Sequence, residues 1–450
     1  MRGAGLLALP WRTRSLTDEL EEYERGDVTR TRLLAWCCAG WCASIALFRP
    51  LEGVLFGIAL FACVFRLPAT LRVYRAALRE PVVLWFVLFI MVTAIATMCS
   101  TQCDEWSDAL PKRLFMVPLL VLPVLHRWRL MLAGLAIGAF AAVVISFGRM
   151  CGRFIYESEV PIEITDGAAW VLTVGVVAGF AALASANIRV RCIGVMLGLS
   201  TLGMQASMTQ RAPVVGSIVA LIVLLLMLWR EFTRRTRLMI VVIVPIVAVI
   251  SFVISASMGG AVAKSLHQRE TTKSQAFDAY DTYDTLNYLS SSRLELWRQT
   301  IAGIPDRPFF GHGRLAWRDD VEARIAQTPT PTIAMQSILN DTRVKYSHNS
   351  ELDVLYTSGV VGLSCLVIVG IIGIRTALRR LRGEPLAAVS IAALAGTLAA
   401  SQFDFVFARA IPGALLIVLG LIVLLPRPSS SEWSRRGLGR EDDWLDSWMR

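Results

Sequence analysis

A histidine, His348, is the residue whose surroundings first suggest chemistry. It lies in SHNSELDVLYTSGVVGL (347–363), where a long apolar run follows it and Gly359 and Gly362 stand about one helical turn apart. An imidazole titrates near neutral pH and can accept the proton of a hydroxyl group as that group attacks. His348 is therefore a candidate general base at a membrane boundary. The alternative is an interfacial histidine that caps the next helix together with Asn349.

The two glycines suggest how that histidine would be held. Small residues allow the backbone of a membrane helix to approach a neighbouring helix closely. We expect Gly359 and Gly362 to pack the helix after His348 against another span and so to orient the imidazole. Glycines also serve close packing in membrane helices that carry no site.

Two arginines could bind a phosphate group. Arg211 lies in MTQRAPVVG (208–216), a turn between two apolar blocks that is too short to extend far into water. Arg293 lies just inside the start of an expected helix, where a cation opposes the helix dipole unless an anion is bound there. A guanidinium group suits phosphate because it forms charge-assisted, bidentate hydrogen bonds. The alternatives are an interfacial arginine that reaches the membrane surface and a solvated surface arginine.

Other polar residues near His348 in the sequence are second candidates, for contacts with a substrate. His312, the central residue of GHG (311–313), could line the path of an acceptor. The remaining candidates are Arg314, Tyr346 and Asn349.

Metal binding has little support in the sequence. The nine cysteines show no metal-ligand spacing, and no other ligand pattern joins the acidic groups Asp104–Glu105 and DAYDTYD (278–284). Carboxylates can hold a divalent ion, but such clusters are more often solvated surfaces. We therefore predict neither a metal site nor a cofactor.

The composition indicates a membrane protein. Of the 450 residues, 55% are hydrophobic and 18% are charged, whereas about a quarter are charged in a typical soluble domain. The apolar residues form blocks of roughly 16 to 24, long enough to cross the hydrocarbon core as helices. The net charge of +10 is concentrated in short strips between these blocks, such as REFTRRTR (230–237). That distribution indicates contact with anionic membrane lipids, and no nucleic acid is expected as a partner.

The predicted fold is an all-α polytopic membrane protein with twelve spans. The basic loops fall on one side and the acidic stretches 103–110 and 157–166 on the other, as the positive-inside rule requires. Both termini are then cytoplasmic, and His348 lies on the outer, periplasm-like face of the membrane. The spans are expected at 32–48, 51–66, 81–99, 114–126, 129–148, 167–187, 193–209, 213–229, 238–256, 351–374, 387–402 and 410–425.

A single polar segment, 257–350, interrupts the series of spans and is too long for an ordinary loop. We expect it to be a periplasmic loop domain. The predicted divisions of the chain are a cytoplasmic tail (1–31), spans one to nine (32–256), the loop domain (257–350), spans ten to twelve (351–425) and a second cytoplasmic tail (426–450).

One helix is predicted within this loop. SSRLELWRQTIAGI (291–304) is amphipathic, and Ser292 with Glu295 matches a capping box at its start. Pro305 should end the helix. The residues expected on its apolar face are Leu294, Trp297, Ile301 and Ile304.

These motifs together resemble the O-antigen ligase and polymerase superfamily. His348-Asn349, nine residues, Gly359, two residues and Gly362 resemble its histidine-amide-x9-glycine-x2-glycine motif, and Arg211 lies in a similar turn. SSRLELWRQTIAGIPDRPFFGHG (291–313) resembles its segment of arginine, tryptophan, proline and glycine-x-glycine. The order and spacing agree over 208–374, whereas the N-terminal third of the chain carries no motif.

The resemblance implies a GT-C-like glycosyltransferase acting at the periplasmic face. It would move O-antigen glycan from a polyprenyl diphosphate carrier to a hydroxyl of lipid A-core. Carried over to this sequence, His348 would activate the acceptor, while Arg211 and Arg293 would hold the donor diphosphate and stabilise the leaving group. A base on one face and a diphosphate on the other favour inversion in a single displacement. The motif implies no metal.

Several alternatives remain. An O-antigen or exopolysaccharide polymerase would use the same donor with another lipid-linked glycan as acceptor. A protein O-glycosyltransferase is less favoured, because no periplasmic domain is expected after span twelve, and a metal-dependent glycosyltransferase would need the acidic clusters. A flippase or transporter of lipid-linked glycan is the non-enzymatic alternative. Transporters usually place ionisable groups within their spans, but spans six to nine contain no Asp or Glu in their interiors.

Overall fold

A computed structural model describes most of the chain. The described residues are 15–45, 49–100, 117–118, 120–156, 166–185, 187–207, 212–229, 232–234, 237–238, 293–314, 316–329, 331–340, 346–380, 385–403 and 410–424. Every regular element within these ranges is helical, and none is a strand.

Fifteen α-helices occur in this part of the chain. Short 3₁₀ turns at Leu122–Arg127, Ala182–Ala184 and Ile304–Asp306 adjoin the sixth, seventh and tenth helices. In chain order the helices are α1 (Leu16–Gly26), α2 (Val28–Ser44), α3 (Arg49–Phe65), α4 (Leu67–Ala77), α5 (Pro81–Met98), α6 (Trp128–Tyr156), α7 (Asp166–Ala181), α8 (Ile188–Ser207), α9 (Ala212–Leu228), α10 (Arg293–Gly303), α11 (Trp317–Ala326), α12 (Ile333–Asn340), α13 (Ser350–Arg380), α14 (Pro385–Ser401) and α15 (Ala410–Leu424).

Several helices are long and apolar enough to cross a membrane. Among the described residues, three meet both conditions: α5, the segment Leu122–Gly148 and Ser350–Leu378 within α13. A fourth span results if α3 and α4, which meet at an angle of 97°, are taken together. Shorter apolar helices occupy parts of α7, α9 and α14. The prediction of an all-helical membrane protein is confirmed, whereas the number twelve stays a prediction.

The bundle core is formed where helices cross at small residues. A Cβ atom added to Gly134 of α6 would lie 2.2 Å from the carbonyl oxygen of Ala39 in α2. In the same way, a Cβ atom on Gly396 of α14 would lie 2.3 Å from the carbonyl oxygen of Gly216 in α9. Only glycine allows backbones to approach this closely. The largest buried side chains of this core include Trp170, Leu120, Leu135 and Leu224.

The structure differs from the sequence prediction at HRWR (126–129). The sequence predicts a loop there between two spans, 114–126 and 129–148. In the structure, the 3₁₀ turn Leu122–Arg127, which is kinked at Val124 (φ −118°, ψ 15°), leads directly into α6, and Leu122–Gly148 is one candidate span by its length and composition. The charged side chains need no loop in water, because His126 and Arg127 both contact Glu24 of α1. The predicted boundary between two spans is wrong at this point.

The first helix is packed on the bundle, although the sequence predicts only a cytoplasmic tail (1–31). Ser15 begins it with a capping box: its Oγ accepts the N–H of Asp18, and the Asp18 carboxylate accepts the N–H of Ser15. The helix contacts α4 and the 3₁₀ turn before α6. Its buried residues are Leu16, Leu20 and Tyr23.

Glu24 holds α1 against the start of α6. Its Oε2 lies 2.6 Å from Nε2 of His126, and its Oε1 accepts a hydrogen bond from Arg127. Burial acts to raise the pKa of Glu24, but the hydrogen bond from Arg127 and the charges of His126 and Arg127 outweigh burial and lower that pKa. The ionised carboxylate therefore stabilises the docked helix.

The predicted loop helix is present as α10, but its buried face is not the predicted one. Ile301 is 54% exposed, while Trp297 and Ile304 are partly buried. Polar side chains are buried instead because they bond to each other and to α11: Gln299 donates to Glu295, and Trp317 donates to Thr300. The predicted apolar face is therefore wrong at Ile301. Ser292 of the predicted capping box lies outside the described residues, and Pro305 lies in the 3₁₀ turn that follows α10.

Replacing Glu24 by Gln should lower the free energy of local opening of α1 by about 1.5–3 kcal/mol at neutral pH, because a hydrogen bond to a charged group is lost. The folded-state pKa of Glu24 lies below its unfolded value. Its stabilisation is therefore complete above the unfolded pKa and disappears as the pH falls through the lowered one. Hydrogen exchange of the α1 amides, followed from neutral to acidic pH, measures both effects.

Glu21→Gln is the matched control, because Glu21 pairs with Arg25 of the same helix, at 2.8 Å, and Arg25 is largely exposed. Such a pair contributes about 0.3–0.5 kcal/mol. Equal effects of the two variants would contradict the role of Glu24.

Candidate functional site

Helix α13 is broken at Gly359, nine residues after its start. Gly359 has φ 64° and ψ −168°, a backbone conformation that essentially only glycine adopts. A break of this kind removes the helical partners of nearby N–H and C=O groups. Within a membrane span those groups must find other partners, since hydrocarbon supplies none.

A short loop, residues 308–313 (PFFGHG), supplies those partners. On one side of the break, the N–H groups of His312 and Gly313 donate to the carbonyls of Tyr356 and Thr357, at 2.9 and 3.0 Å. On the other side, the N–H groups of Val360 and Val361 donate to the carbonyls of Pro308 and Phe309, at 2.8 and 3.2 Å. The loop therefore replaces hydrogen bonds that the broken helix cannot make. We call it the PFFGHG loop.

The glycines on both sides make this approach sterically feasible. A Cβ atom on Gly359 would lie 2.2 Å from the carbonyl oxygen of Phe309. Gly311 has φ +71°, and a Cβ atom there would lie 2.5 Å from the carbonyl oxygen of Tyr356. The sequence predicts that Gly359 packs a continuous helix against another span. The structure instead uses it to interrupt the helix and admit a loop.

Gly362 lies one turn further on, where α13 packs against α5. A Cβ atom added to it would lie 3.8 Å from Cγ1 of Val92 in α5, but only 2.2 Å from Cβ of Ser358 in its own helix. The two glycines therefore have different structural roles.

His312 anchors the PFFGHG loop from within. It is 8% exposed, its Nε2 lies 2.8 Å from the carbonyl oxygen of Gly303, and its Nδ1 lies 2.9 Å from Oδ2 of Asp320. Its ring stacks on Tyr356 at 4.5 Å, and the Tyr356 hydroxyl donates to the same Asp320 oxygen. Both ring nitrogens have protein partners, so these contacts favour a structural role for His312 over the predicted contact with an acceptor.

His348 lies in a constrained turn just before α13. It is the one non-glycine residue in the described ranges with positive φ, 55°. The N–H of Ser347 donates to Oδ1 of the buried Asp353 at 2.8 Å, and the Ser347 hydroxyl donates to the carbonyl of Asn349 at 3.1 Å. These bonds hold the backbone on both sides of the histidine. The imidazole is half-buried, with the ring of Tyr346 at 6.0 Å in an edge-to-face arrangement.

Asn349 caps α13 and ties it to the end of α14. Its Oδ1 accepts the N–H of Leu352 at 2.9 Å, and its Nδ2 donates to the carbonyl of Gln402 at 3.2 Å. The side chain of Gln402 donates in turn to Glu351 at 2.6 Å. The amide of Asn349 is thus engaged on both sides. These contacts favour a positioning role over the predicted contact with substrate.

The structure describes two of the three candidate arginines, Arg293 and Arg314. Arg293 is the first residue of α10, is half-buried, and belongs to a helix that contacts α13. Arg314 follows the PFFGHG loop, and its N–H donates to Oγ1 of Thr97 in α5 at 3.0 Å. Arg211 lies outside the described residues, directly before α9. The structure thus connects the segments that carry Arg293, Arg314 and His348 through α13 and its loop.

The sequence analysis misses three residues that support this arrangement. Asp320 and Tyr356 meet His312 only through tertiary contacts, so no local pattern identifies them. Asp353 has a weak signal, since a carboxylate in the first turn of a helix can accept N–H groups from the preceding residues. No group of three metal-binding side chains occurs in the described ranges, and the acidic clusters at 104–105 and 278–284 lie outside them.

The fold and this site define an α-helical membrane protein with a half-buried histidine in a constrained turn before a broken span. Residues 193–367 match a family model described as O-antigen ligase. That segment, which contains Arg293, His348 and Gly359, is similar to the O-antigen ligase family, so the predicted resemblance is confirmed over these residues. The family implies a glycosyltransferase-like enzyme of the ligase or polymerase type. No curated protein gives a significant match to the chain.

Gly359→Ala should detach the PFFGHG loop from α13. The variant must keep a backbone conformation that costs about 1–3 kcal/mol for a residue other than glycine, or else move Phe309 away. Hydrogen exchange of the His312 and Gly313 amides should accelerate, because their bonds to Tyr356 and Thr357 are lost. Gly373→Ala is the control on the same helix, since nothing lies within 4 Å of its added Cβ atom. Unchanged protection in Gly359→Ala would contradict the assigned role of the loop.

Proposed function

We propose that this protein transfers O-antigen glycan from a polyprenyl diphosphate carrier to a sugar hydroxyl of lipid A-core, with His348 as the general base. The principal support is the placement of His348 in the segment that matches the O-antigen ligase family. The histidine adjoins a candidate span, where a lipid-linked donor and an acceptor from the aqueous side can meet. Its backbone is restrained by Ser347 and Asp353, which suits a base that must keep one orientation.

In the proposed reaction, the acceptor hydroxyl attacks the anomeric carbon of the donor glycan. Its proton passes to a ring nitrogen of His348 as the new carbon–oxygen bond forms. The bond between the anomeric carbon and the diphosphate oxygen breaks, and the diphosphate leaves with the electron pair. Attack from the face opposite the leaving group inverts the anomeric centre. The proposal assigns no step to a metal ion.

Arg293 and Arg211 are proposed to bind the donor diphosphate. Arg293 is supported by its place at the start of α10, where N–H groups at a helix N-terminus can assist a guanidinium in binding an anion. Arg211 is supported by its place in the sequence within the family match. The positive charge would stabilise the negative charge that develops as the diphosphate departs. Arg314 and Tyr346 remain proposed substrate contacts.

The wider setting is part of the same proposal. We place the protein in the bacterial inner membrane as a GT-C-like bundle of twelve spans, with both termini in the cytoplasm and His348 facing the periplasm. The alternating charge of the predicted loops supports this orientation. A polymerase, whose acceptor is a second lipid-linked glycan, is the alternative, because the family match supports activity of the ligase or the polymerase type.

His348→Asn tests the base separately from the backbone, since asparagine tolerates a left-handed conformation better than alanine does. Loss of a general base should reduce turnover by about 10²–10⁴-fold, with an unchanged melting temperature. The assay combines purified protein, polyprenyl diphosphate-linked glycan and either lipid A-core or excess donor as acceptor. Transfer to lipid A-core identifies a ligase, and elongation of the donor identifies a polymerase. Near wild-type turnover by His348→Asn would refute the base assignment.

Arg293→Ala should weaken use of the donor more than use of the acceptor. Loss of charge-assisted hydrogen bonds worth about 1.5–3 kcal/mol corresponds to roughly a 10–100-fold fall in kcat/KM for the donor. Arg298→Ala is the control in the same helix; Arg298 is an exposed cation that reaches Glu295 at 3.7 Å. A donor kcat/KM that is equal in the two variants would remove Arg293 from the donor site.

A further inference from the structure

The tip of the PFFGHG loop exposes two aromatic side chains. Phe309 is 68% exposed and Phe310 is 59% exposed. Both residues directly adjoin the backbone that fills the break in α13. The sequence prediction places them in a periplasmic loop domain. Two neighbouring phenylalanines so exposed are more typical of a surface that meets another apolar phase.

The exposed face of α13 indicates that this apolar phase is membrane lipid. Its exposed apolar side chains follow helical spacing along one side of a candidate span, as expected for the face that a membrane helix presents to lipid. This lipid-facing stripe begins at Val360, whose N–H donates to the carbonyl of Pro308 in the loop. The loop therefore joins the upper end of the stripe. The stripe consists of Val360, Val367, Ile371, Ile374 and Leu378.

Hydrogen bonds satisfy several of the polar backbone groups of the loop. Irregular backbone in a bilayer is costly because its polar groups lack water. Here the carbonyls of Pro308 and Phe309 accept bonds from α13, and the N–H of Gly311 donates to the carbonyl of Arg307. The N–H groups of His312 and Gly313 donate to α13 as well. Proline at position 308 has no N–H to satisfy.

The depth of the loop follows from its register on α13. Gly359 lies nine residues after Ser350, which is about 13 Å along a helix. We infer that Phe309 and Phe310 are inserted into the bilayer and pack against phospholipid acyl chains. The PFFGHG loop is then a lipid-embedded part of the bundle, and the exposed Arg307 before it can extend toward the headgroups.

Photocrosslinking of the full chain in native membranes tests this inference. p-Benzoylphenylalanine replaces Phe309 or Phe310, a conservative change at an exposed position. The same residue at Ile371, on the lipid-facing stripe, is the positive control. At Gln327, exposed at the end of α11, it is the aqueous control. Mass spectrometry after irradiation should detect phospholipid adducts at positions 309, 310 and 371 and none at 327.

Three results would overturn the inference. They are a cross-link to a second copy or another protein, a polyprenyl diphosphate as the main adduct, and no lipid adduct at 309 and 310 while 371 forms one. An independent measurement uses Phe309→Asp in lipid nanodiscs, where a carboxylate in hydrocarbon should lower the melting temperature. Gln327→Asp should leave it unchanged. A melting temperature of Phe309→Asp equal to that of wild type would count against insertion.

Discussion

The arrangement of the site depends on the hydrogen bonding of the PFFGHG loop into the break of α13. A membrane span cannot be interrupted without partners for its exposed N–H and C=O groups, and the loop provides four such bonds. The same bonds hold the PFFGHG loop at a fixed position along α13. These hydrogen bonds connect the part of the chain that carries Arg293 to α13, the helix that begins beside His348.

Two separate groups of contacts restrain the first part of α13, one at its start beside His348 and one at its break at Gly359. Around His348, the bonds of Ser347, Asp353 and Asn349 set the turn and cap the helix. Around the break, His312, Asp320 and Tyr356 form a network of hydrogen bonds and ring stacking. A base and an anion-binding group are useful only if their separation is maintained. In the proposed enzyme, Asn349 and His312 would serve this purpose and not contact substrate directly.

The sequence predicts the class and family of this protein better than its packing. The helical membrane class, the helix beginning near Arg293 and the superfamily follow from apolar block length and motif spacing, which are local properties of the chain. The prediction fails at HRWR (126–129) and at the exposed Ile301. At HRWR, the partner that removes the need for a loop is Glu24, more than a hundred residues earlier. At Ile301, hydrogen bonds to α11 bury polar residues on the opposite face.

The sequence by itself determined the membrane class, the superfamily and the small set of residues with suitable chemistry, because residue type and spacing define those properties directly. Only the tertiary structure decided what the residues around His348 do. The sequence predicts Gly359 to be a packing glycine. Its positive φ and the close approach of the Phe309 carbonyl show that it interrupts the helix instead. The sequence predicts Asn349 and His312 as substrate contacts. In the structure, the amide of Asn349 donates to the carbonyl of Gln402, and Nδ1 of His312 contacts Asp320. Hydrogen bonds between distant segments leave no periodic signal in the sequence, since their partners are brought together only by folding.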